Sequence, residues 1–223
     1  MFEDVEGTEI IATASRSRQP LGGFGKRSFD MIVALCALVA LLPLIAAVCL
    51  LLKWNSGGSV FFKQMRIGFG GRRFACYKFR SMVENADAVL DQHLRENPEA
   101  RLEWEANQKL KNDPRITPLG QFLRSTSLDE LPQLFNILIG DMSIVGPRPI
   151  VPSEIARYGA NFSEYAAGRP GLTGLWQVSG RSDCTYPERV ALDARYVREW
   201  DFWLDLVIIG KTFHTVLSRR GSY

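Results

Sequence analysis

The chain is poor in the residues that carry the commonest catalytic and metal chemistries. It has two histidines and four cysteines in 223 residues, and neither HExxH nor CxxC occurs. Zinc sites and disulfide frameworks therefore lack their usual patterns, and such cysteine usage is typical of a reducing, cytoplasmic setting. The charge is also weakly biased, with 27 basic and 24 acidic residues. A net charge of +3 fits an anionic partner or membrane face. No nucleic-acid recognition motif accompanies it, so we expect no nucleic-acid partner.

One stretch lacks charged residues altogether. Met31 to Leu52 is 22 residues without Asp, Glu, Lys or Arg, which as a helix is about 33 Å, enough to cross a bilayer. Pro43 stands near its centre and predicts a break or kink. Basic residues lie on both sides, whereas a spanning helix has one flank poor in them. We therefore expect a re-entrant hairpin over residues 26–55 with both ends cytoplasmic. A spanning helix and a buried core helix are the alternatives.

Periodicity and turn residues predict the segments that follow. Residues 56–80 have the pattern of a β-hairpin, with a glycine-rich turn in the middle. On its returning strand Lys78 and Arg80 share one face, which points to an anion or to solvent. Two helical patterns lie within residues 82–111, separated by Pro98.

The two ends of the chain complete the predicted architecture. Residues 1–25 are polar and are expected to form a flexible tail. Residues 186–218 are expected to be helical, with Trp200 and Trp203 either at a membrane interface or in the core. The predicted fold class is α+β. A small, mostly helical, membrane-associated domain over residues 56–223 would contain a short β-hairpin and C-terminal interfacial helices. The re-entrant (monotopic) membrane helix over residues 26–55 would precede this domain.

The run from Ser127 to Gln133 places two adjacent carboxylates, Asp129 and Glu130, at the start of a helical pattern. Ser127 and Glu130 have the spacing of a capping box, which is a purely structural interpretation. Pro132 argues against it, because with Ser127 as N-cap the proline would lie inside the helix and remove a bond. With Asp129 as N-cap, Pro132 lies in the first turn. The apolar residues then share one face: Leu131, Leu134, Phe135 and Leu138. A phosphate at the helix N-terminus would make Asp129 a plausible metal ligand or nucleophile.

Arginines are displayed by several loops around this run. Arg148, Arg169 and Arg181 each adjoin proline or glycine, and Arg124 comes five residues before Asp129. Arginine suits bidentate binding of phosphate. Each one alone could equally be a surface residue, but together they predict a site for a polyanion.

Four motifs in a fixed order resemble those of the bacterial sugar transferases, the small monotopic polyprenyl-phosphate phosphoglycosyl transferases. They are YKFRSM, SLDELPQL, GDMSIVGPRP and RPGLTGLWQVSGR, and they follow the apolar stretch. The resemblance covers about residues 26–223 and is greatest to the galactosyl-phosphate transferases of exopolysaccharide synthesis. It implies transfer of a sugar-1-phosphate from a UDP-sugar to undecaprenyl phosphate at the cytoplasmic face of the bacterial inner membrane. UMP would be released, a phosphosugar would be held covalently on an aspartate, and Mg²⁺ would be required.

The resemblance also implies roles for individual residues. Asp129 would be the nucleophile and Glu130 its partner, both being candidate Mg²⁺ ligands. Motif position makes several basic residues candidate phosphate contacts: Lys78, Arg124, Arg148, Arg181 and, as a further candidate, Arg169. The family usually has Ser-Pro at the helix break, whereas this chain has Leu42-Pro43, so the hydroxyl that could satisfy a freed carbonyl is missing.

Several alternatives stay open at this point. Galactose is expected from the resemblance, but glucose or an N-acetylated sugar would use the same chemistry. A metal-dependent phosphodiesterase and a non-catalytic, membrane-anchored assembly module are the rivals from other classes. The oligomeric state is also open, with a homo-oligomer among the alternatives.

Overall fold

The computed structural model describes residues 19–56, 58–107, 110–180 and 184–217. A long helix α1 (Gly23–Ser56) precedes a hairpin of strands β1 (Phe61–Ile67) and β2 (Arg73–Phe79). The remaining helices and strands follow in chain order: α2 (Ala86–Glu96), α3 (Pro98–Asn107), α4 (Pro118–Ser125), α5 (Gln133–Ile139), β3 (Ser143–Val145), α6 (Ile155–Tyr158), α7 (Phe162–Tyr165), β4 (Gly171–Thr173), α8 (Leu175–Ser179), α9 (Tyr186–Glu199) and α10 (Phe202–Leu217).

The hairpin and the paired helices agree with the sequence. Strands β1 and β2 are antiparallel, with Gln64 opposite Cys76 and Phe62 opposite Lys78. A helical turn with Gly70 at φ 65° connects them, a backbone region that glycine enters without steric cost. Helices α2 and α3 meet at Asn97, next to Pro98. The described residues also form a second small sheet, in which β3 and β4 run parallel.

Helix α1 does not break at Pro43. All residues from Gly23–Ser56 form one helix with the proline inside it, so the expected break is wrong, whereas the alternative of a kink stays a prediction. Proline removes one backbone hydrogen bond and crowds the preceding turn. The residues next to Pro43 are mostly exposed, and α1 makes its buried contacts with the domain on either side of them, at Ala34 and at Val48. By length and composition, Gly23–Asn55 could cross a membrane.

One face of α1 packs on the rest of the protein along most of its length. Near its beginning, Ala34 is buried in a cluster with Leu134 and Ile137 of α5. Near its end, Val48 and Leu52 are buried with other residues of the domain. The opposite face is apolar and exposed: Met31, Ile32, Leu35, Val39, Leu42, Leu50 and Leu51. Helix α1 therefore lies along the domain and leaves an unpartnered apolar face.

The first turns of α1 are tied to the domain by buried polar contacts. Lys26 forms a buried ion pair with Asp205 of α10. Asp205 also accepts hydrogen bonds from Tyr196 Oη at 2.6 Å and Trp200 Nε1 at 3.1 Å. One turn further on, the carboxylate of Asp30 accepts hydrogen bonds from the Ser143 hydroxyl at 2.7 Å and the Ile144 N–H at 3.0 Å, at strand β3. Because these charges are buried, each needs its partners.

The C-terminal tryptophans divide between the two predicted environments. Trp200 packs against the core and donates to Asp205. Trp203 is 71% exposed and lies on α10 with other exposed apolar residues: Phe202, Leu206, Val207 and Phe213. Helix α10 thus has an open apolar face like that of α1.

Gly120 brings α4 close to the end of the hairpin. A Cβ at this position would lie 1.9 Å from the Ser81 carbonyl oxygen, so any other residue would push the helix away. The close approach lets Arg124 on α4 reach back to Ser81, where its Nε donates to the hydroxyl at 2.8 Å.

Removing the charge of Lys26 should destabilise the protein. Lys26→Met leaves Asp205 buried and charged without its cation, which typically costs about 3 kcal/mol or more of unfolding free energy. Urea unfolding of the detergent-solubilised protein measures this. The matched control is Arg195→Met, because Arg195 pairs with Glu199 on the exposed surface of α9 and should change stability by less than about 0.5 kcal/mol. Equal effects of the two substitutions would contradict the anchoring role of Lys26.

Candidate active site

Asp129 lies in a tight turn, not at the beginning of a helix. Leu128–Glu130 forms one 3-10 turn, and helix α5 begins only at Gln133, with Pro132 at its N-cap. Neither a Ser127 nor an Asp129 side chain caps α5, so the prediction of Asp129 as N-cap is wrong. The reason is that Pro132, with φ −62°, is preset for helical entry, while Ser127 turns the chain just before Asp129 and Glu130, the dyad.

Ser127 has a strained backbone. Its φ is 58°, and among the described residues it is the one non-glycine residue with positive φ. Such a conformation costs on the order of 1 kcal/mol or more and tends to persist where the surroundings demand it, often at functional sites. Here it directs Asp129 inward, where the residue is 8% exposed.

The apolar face predicted for the following helix is only partly correct. Leu134 is buried, and Leu131 and Leu138 pack against the core. Phe135 is 52% exposed and contacts the edge of the Tyr77 ring. Phe122 of α4 is also exposed. The dyad is thus flanked in the sequence by two exposed phenylalanines.

Lys78 pairs with the second carboxylate of the dyad. Its Nζ lies 2.5 Å from Glu130 Oε1, and both side chains are partly exposed. The position follows from the sheet: β2 ends one residue later, and the helical turn after Ser127 packs against that end. Burial disfavours the charged form of Lys78, but Glu130 and then Asp129 outweigh it and raise its pKa above the ordinary value.

Asp129 carries the largest perturbation in this group. Burial, followed by the charge of Glu130, raises its pKa from 3.8 to about 6, although Lys78 and Arg124 oppose this. A buried carboxylate beside a second carboxylate is an unfavourable arrangement that a cation or a polarised phosphorus centre would relieve. The group has the properties of a carboxylate nucleophile or metal ligand with two cations beside it.

Asp113 and Arg115 form a second charged pair near Arg124. Arg115 Nη2 donates to Asp113 at 2.6 Å and its Nε at 2.8 Å. Burial raises the pKa of Asp113, but the hydrogen bonds from Arg115 outweigh burial and hold this pKa below its ordinary value. The pKa of Asp113 is therefore lowered, whereas that of Asp129 is raised, although the charges of both act on Arg124.

The structure separates the basic residues assigned by motif. Lys78 and Arg124 lie with the dyad. The Arg148 guanidinium instead lies over the Trp176 ring, 5.4 Å from its centre. Arg169 Nε donates to the Gly140 carbonyl at 2.7 Å, so it closes the C-terminal end of α5, away from the dyad. Arg181 lies outside the described residues.

Asp129 and Glu130 are the carboxylates of this site that could hold a metal. The described residues contain no cluster of three or more His, Cys, Asp or Glu suited to a metal ion. Mg²⁺ is often held by one or two carboxylates together with substrate phosphates, so this donor set fits a magnesium ion that arrives with a phosphorylated ligand.

The sequence interpretation missed four residues around these groups. Ser81 holds Arg124, and Trp176 lies against Arg148 and Arg189. Arg66 lies close enough to Arg148 for their charges to interact. Ser81 and Trp176 lie inside quoted motifs, so a closer inspection of those motifs could have included them. Arg66 and Arg189 lie in ordinary strand and helix patterns that do not distinguish them.

Comparison with known proteins identifies the family. The family model described as "Bacterial sugar transferase" matches residues 21–219, and the chain belongs to this family. The exopolysaccharide production protein ExoY of Sinorhizobium fredii (strain NBRC 101917 / NGR234) is 52% identical over 92% of this chain and 91% of its own. The resemblance found in the motifs is therefore confirmed, and the protein is a transferase.

Two further relatives are longer proteins. The undecaprenyl-phosphate galactose phosphotransferase of Salmonella typhimurium is 50% identical over 90% of this chain and 42% of its own. The UDP-glucose:undecaprenyl-phosphate glucose-1-phosphate transferase of Xanthomonas campestris pv. campestris is 42% identical, over 87% and 39% respectively. The chain thus spans less than half the length of these two relatives, whereas it matches ExoY nearly end to end.

Substituting Asp129 should raise stability at alkaline pH. Because the folded pKa of about 6 exceeds the ordinary 3.8, the folded state binds more protons between these values and loses stability as pH rises through them. Asp129→Asn should gain on the order of 2 kcal/mol at pH 8 and nothing below about pH 4. Urea unfolding across this pH range measures the difference.

Asp113→Asn is the control of opposite sign. Its folded pKa is lowered, so the stability that its charge contributes is present at pH 8 and is lost as pH falls through the folded pKa. This variant should therefore be less stable than the parent at pH 8. If Asp129→Asn also loses stability at pH 8, then Lys78 and Arg124 compensate the buried charge fully.

Proposed function

We propose that this protein transfers a sugar-1-phosphate from a UDP-sugar to undecaprenyl phosphate and releases UMP, as a membrane step of exopolysaccharide biosynthesis. One observation carries the proposal: Asp129 is buried, has a raised pKa and faces Lys78 and Arg124. The chain that contains it is 50% identical to an undecaprenyl-phosphate galactose phosphotransferase. Two relatives that are 48% and 50% identical to this chain are named for galactose, which makes galactose the first candidate sugar. The glucose enzyme among the relatives keeps glucose as the second.

The geometry suggests two displacements at one phosphorus atom. An ionised Asp129 oxygen would attack the β-phosphorus of the donor, the bond to the bridging oxygen would break, and UMP would leave with that electron pair. A lipid phosphate oxygen would then attack the same phosphorus and release the Asp129 carboxylate. A covalent intermediate lets a soluble donor and a lipid acceptor use one site in turn.

The neighbouring residues have distinct tasks in this scheme. Lys78 and Arg124 offset the repulsion between the Asp129 carboxylate and the phosphate, and they stabilise charge that spreads over the phosphoryl oxygens. Ser81 positions Arg124 through its hydroxyl. Asp129 and Glu130 would hold Mg²⁺, which when bound supplies further neutralisation of the diphosphate.

The membrane arrangement follows from where α1 is attached. Both of its ends contact the same domain, Lys26 through Asp205 and Leu52 through the cluster with Phe79. A helix that spans the bilayer would place its ends on opposite sides, so these contacts favour a helix whose two ends lie on the same side. We propose that α1 and α10 lie in one leaflet at the cytoplasmic face of the inner membrane. The exposed Phe122 and Phe135 would then bring the dyad to the depth of the lipid phosphates.

Release of UMP tests the reaction. Membranes containing the protein should release UMP from UDP-galactose only when undecaprenyl phosphate or the protein itself can accept the sugar phosphate, and labelled sugar phosphate should be trapped on the protein. Asp129→Asn should lose both by at least about a thousandfold, since the nucleophile is removed. Asp91→Asn is the control, because Asp91 is an exposed residue of α2.

A panel of UDP-sugars identifies the donor in the same assay. Release from UDP-glucose or an N-acetylated UDP-sugar, and not UDP-galactose, would correct the sugar and keep the reaction. Absence of UMP with every donor would favour a non-catalytic assembly module. Free sugar phosphate without lipid product would indicate a hydrolase.

Cysteine labelling tests the one-leaflet arrangement. In a variant without its native cysteines, single cysteines at Gly25 and Trp54 lie near the two ends of α1, where Trp54 is 91% exposed. A membrane-impermeant maleimide should label neither in intact cells and both after the inner membrane is permeabilised. A periplasmic protein with an exposed cysteine is the positive control. Labelling of one end in intact cells would show that α1 spans the bilayer.

A further inference from the structure

A second group of charged and aromatic side chains lies apart from the dyad. We define the Trp176 cluster as Arg66, Arg148, Trp176, Tyr186 and Arg189. Arg189 and Arg148 both lie over the Trp176 ring, 4.4 and 5.4 Å from its centre. Arg189 also lies 5.7 Å from the centre of the Tyr186 ring. Arg66 joins the group through its Nη1, which donates to the Pro149 carbonyl at 2.9 Å, beside Arg148.

The cluster contains nearly all the unsatisfied buried polar side-chain atoms found among the described residues. In the part of the chain that the structure describes, five buried side-chain atoms lack a hydrogen-bond partner: Arg66 Nε, Trp176 Nε1, Gln177 Oε1, Tyr186 Oη and Arg189 Nε. Four belong to the cluster and the fifth to the neighbour of Trp176. Buried polar atoms are normally paired, and an unpaired one costs about 1–3 kcal/mol. Five together in one place favour the binding of a polar ligand there.

The positive charge of the cluster is only weakly compensated, since Glu154 acts on Arg66 and Arg189 without forming an ion pair with either. None of its arginines forms a salt bridge with a described carboxylate. Burial and then the charge of Arg148 lower the pKa of both Arg66 and Arg189, so the guanidinium groups repel one another. The nearest buried acid, Asp193, has its pKa raised to about 7 by burial and accepts from the Tyr158 hydroxyl at 2.7 Å. An anionic ligand would relieve this repulsion.

The hairpin connects the cluster with the dyad. Lys78, Cys76 and Phe74 alternate along one face of β2, and Arg66 is the cross-strand partner of Phe74. Arg66 and Lys78 are therefore four residues apart along the strand direction, about 13 Å. Cys76 lies between them, and its thiol is influenced by both Lys78 and Arg66. Phe74 and Cys76 are themselves buried in the core, so the two groups lie at opposite ends of a covered face, about 13 Å apart, a distance that one extended ligand can bridge.

The surroundings of the cluster favour a ligand from water. The exposed large apolar side chains of the described residues include none between residues 140 and 201, the segment that supplies Arg148, Trp176, Tyr186 and Arg189. The exposed phenylalanines next to the dyad lie elsewhere, at positions 122 and 135. The dyad thus borders the apolar surface, whereas the cluster lies away from it, where a soluble molecule has access.

We propose that the Trp176 cluster is the subsite for the nucleoside monophosphate half of the donor, which it holds while the sugar phosphate half lies at Asp129. The inference rests on the proposed function for the identity of the donor. The arginines contact the phosphate, and the unpaired atoms of Trp176, Gln177 and Tyr186 contact the polar groups of the nucleoside. Arg66, Trp176, Tyr186 and Arg189 thereby become binding residues of the transferase.

Binding of UMP to the detergent-solubilised full chain, measured by calorimetry, tests the subsite without turnover. Arg189→Met should weaken UMP binding by about tenfold or more, because one charge-assisted contact is lost. It should raise the KM for the UDP-sugar and leave the KM for undecaprenyl phosphate unchanged. Arg195→Met, on the same helix and paired with Glu199, is the control and should change none of the three. Trp176→Phe keeps an aromatic ring but removes the indole N–H, and it should also weaken UMP binding.

Three results would overturn the subsite. Unchanged UMP binding in both cluster variants would make the cluster structural. A raised KM for undecaprenyl phosphate alone would assign the cluster to the lipid phosphate. Inorganic phosphate that binds the parent protein as tightly as UMP would show that no nucleoside is recognised. If UMP release fails with every donor and Arg189→Met still weakens UMP binding, the proposed reaction is wrong and the subsite stands.

Discussion

The buried ion pair between Lys26 and Asp205 is the contact on which the placement of the apolar helix depends. It joins the first turn of α1 to α10, and Tyr196 and Trp200 satisfy the remaining capacity of the same carboxylate. Two charges removed from water require such complete satisfaction. With this end fixed, the packing of Val48 and Leu52 at the other end makes α1 lie along the domain. The exposed apolar faces of α1 and α10 follow from that geometry.

At the dyad, in contrast to the Lys26–Asp205 pair, buried charge is only partly compensated. Asp129 is held in a turn whose entry is strained at Ser127, and burial beside Glu130 raises its pKa to about 6. Lys78 and Arg124 offset only part of this rise in the pKa of Asp129. Unfavourable charge held in place by surrounding structure is typical of a site that binds or attacks a charged ligand. The Trp176 cluster has an excess of positive charge, whereas the dyad has two carboxylates beside two cations, so the cluster suits the anionic part of a ligand.

Local patterns predicted the elements whose formation is local. The glycine-rich turn and the alternation around it identified the hairpin, and Pro98 separated α2 from α3 as expected. The apolar run indicated a helix of membrane length, but the break expected at Pro43 does not occur. Errors arose where the preference of a single residue was overridden. Pro43 disfavours a helix, yet α1 continues through it between its buried contacts at Ala34 and Val48, and Asp129 is a good capping residue that the turn at Ser127 removes from the cap.

The sequence by itself determined the family, and it predicted the dyad and the basic residues around it, because motif order and residue type are properties of the chain. Only the tertiary structure decided which of those residues act together. Arg169 closes α5 and Arg148 joins Trp176, whereas Lys78 and Arg124 meet Asp129 because Gly120 lets α4 approach the hairpin. Residues far apart in the chain become neighbours through packing, and that packing, not spacing along the sequence, sets the charge around Asp129.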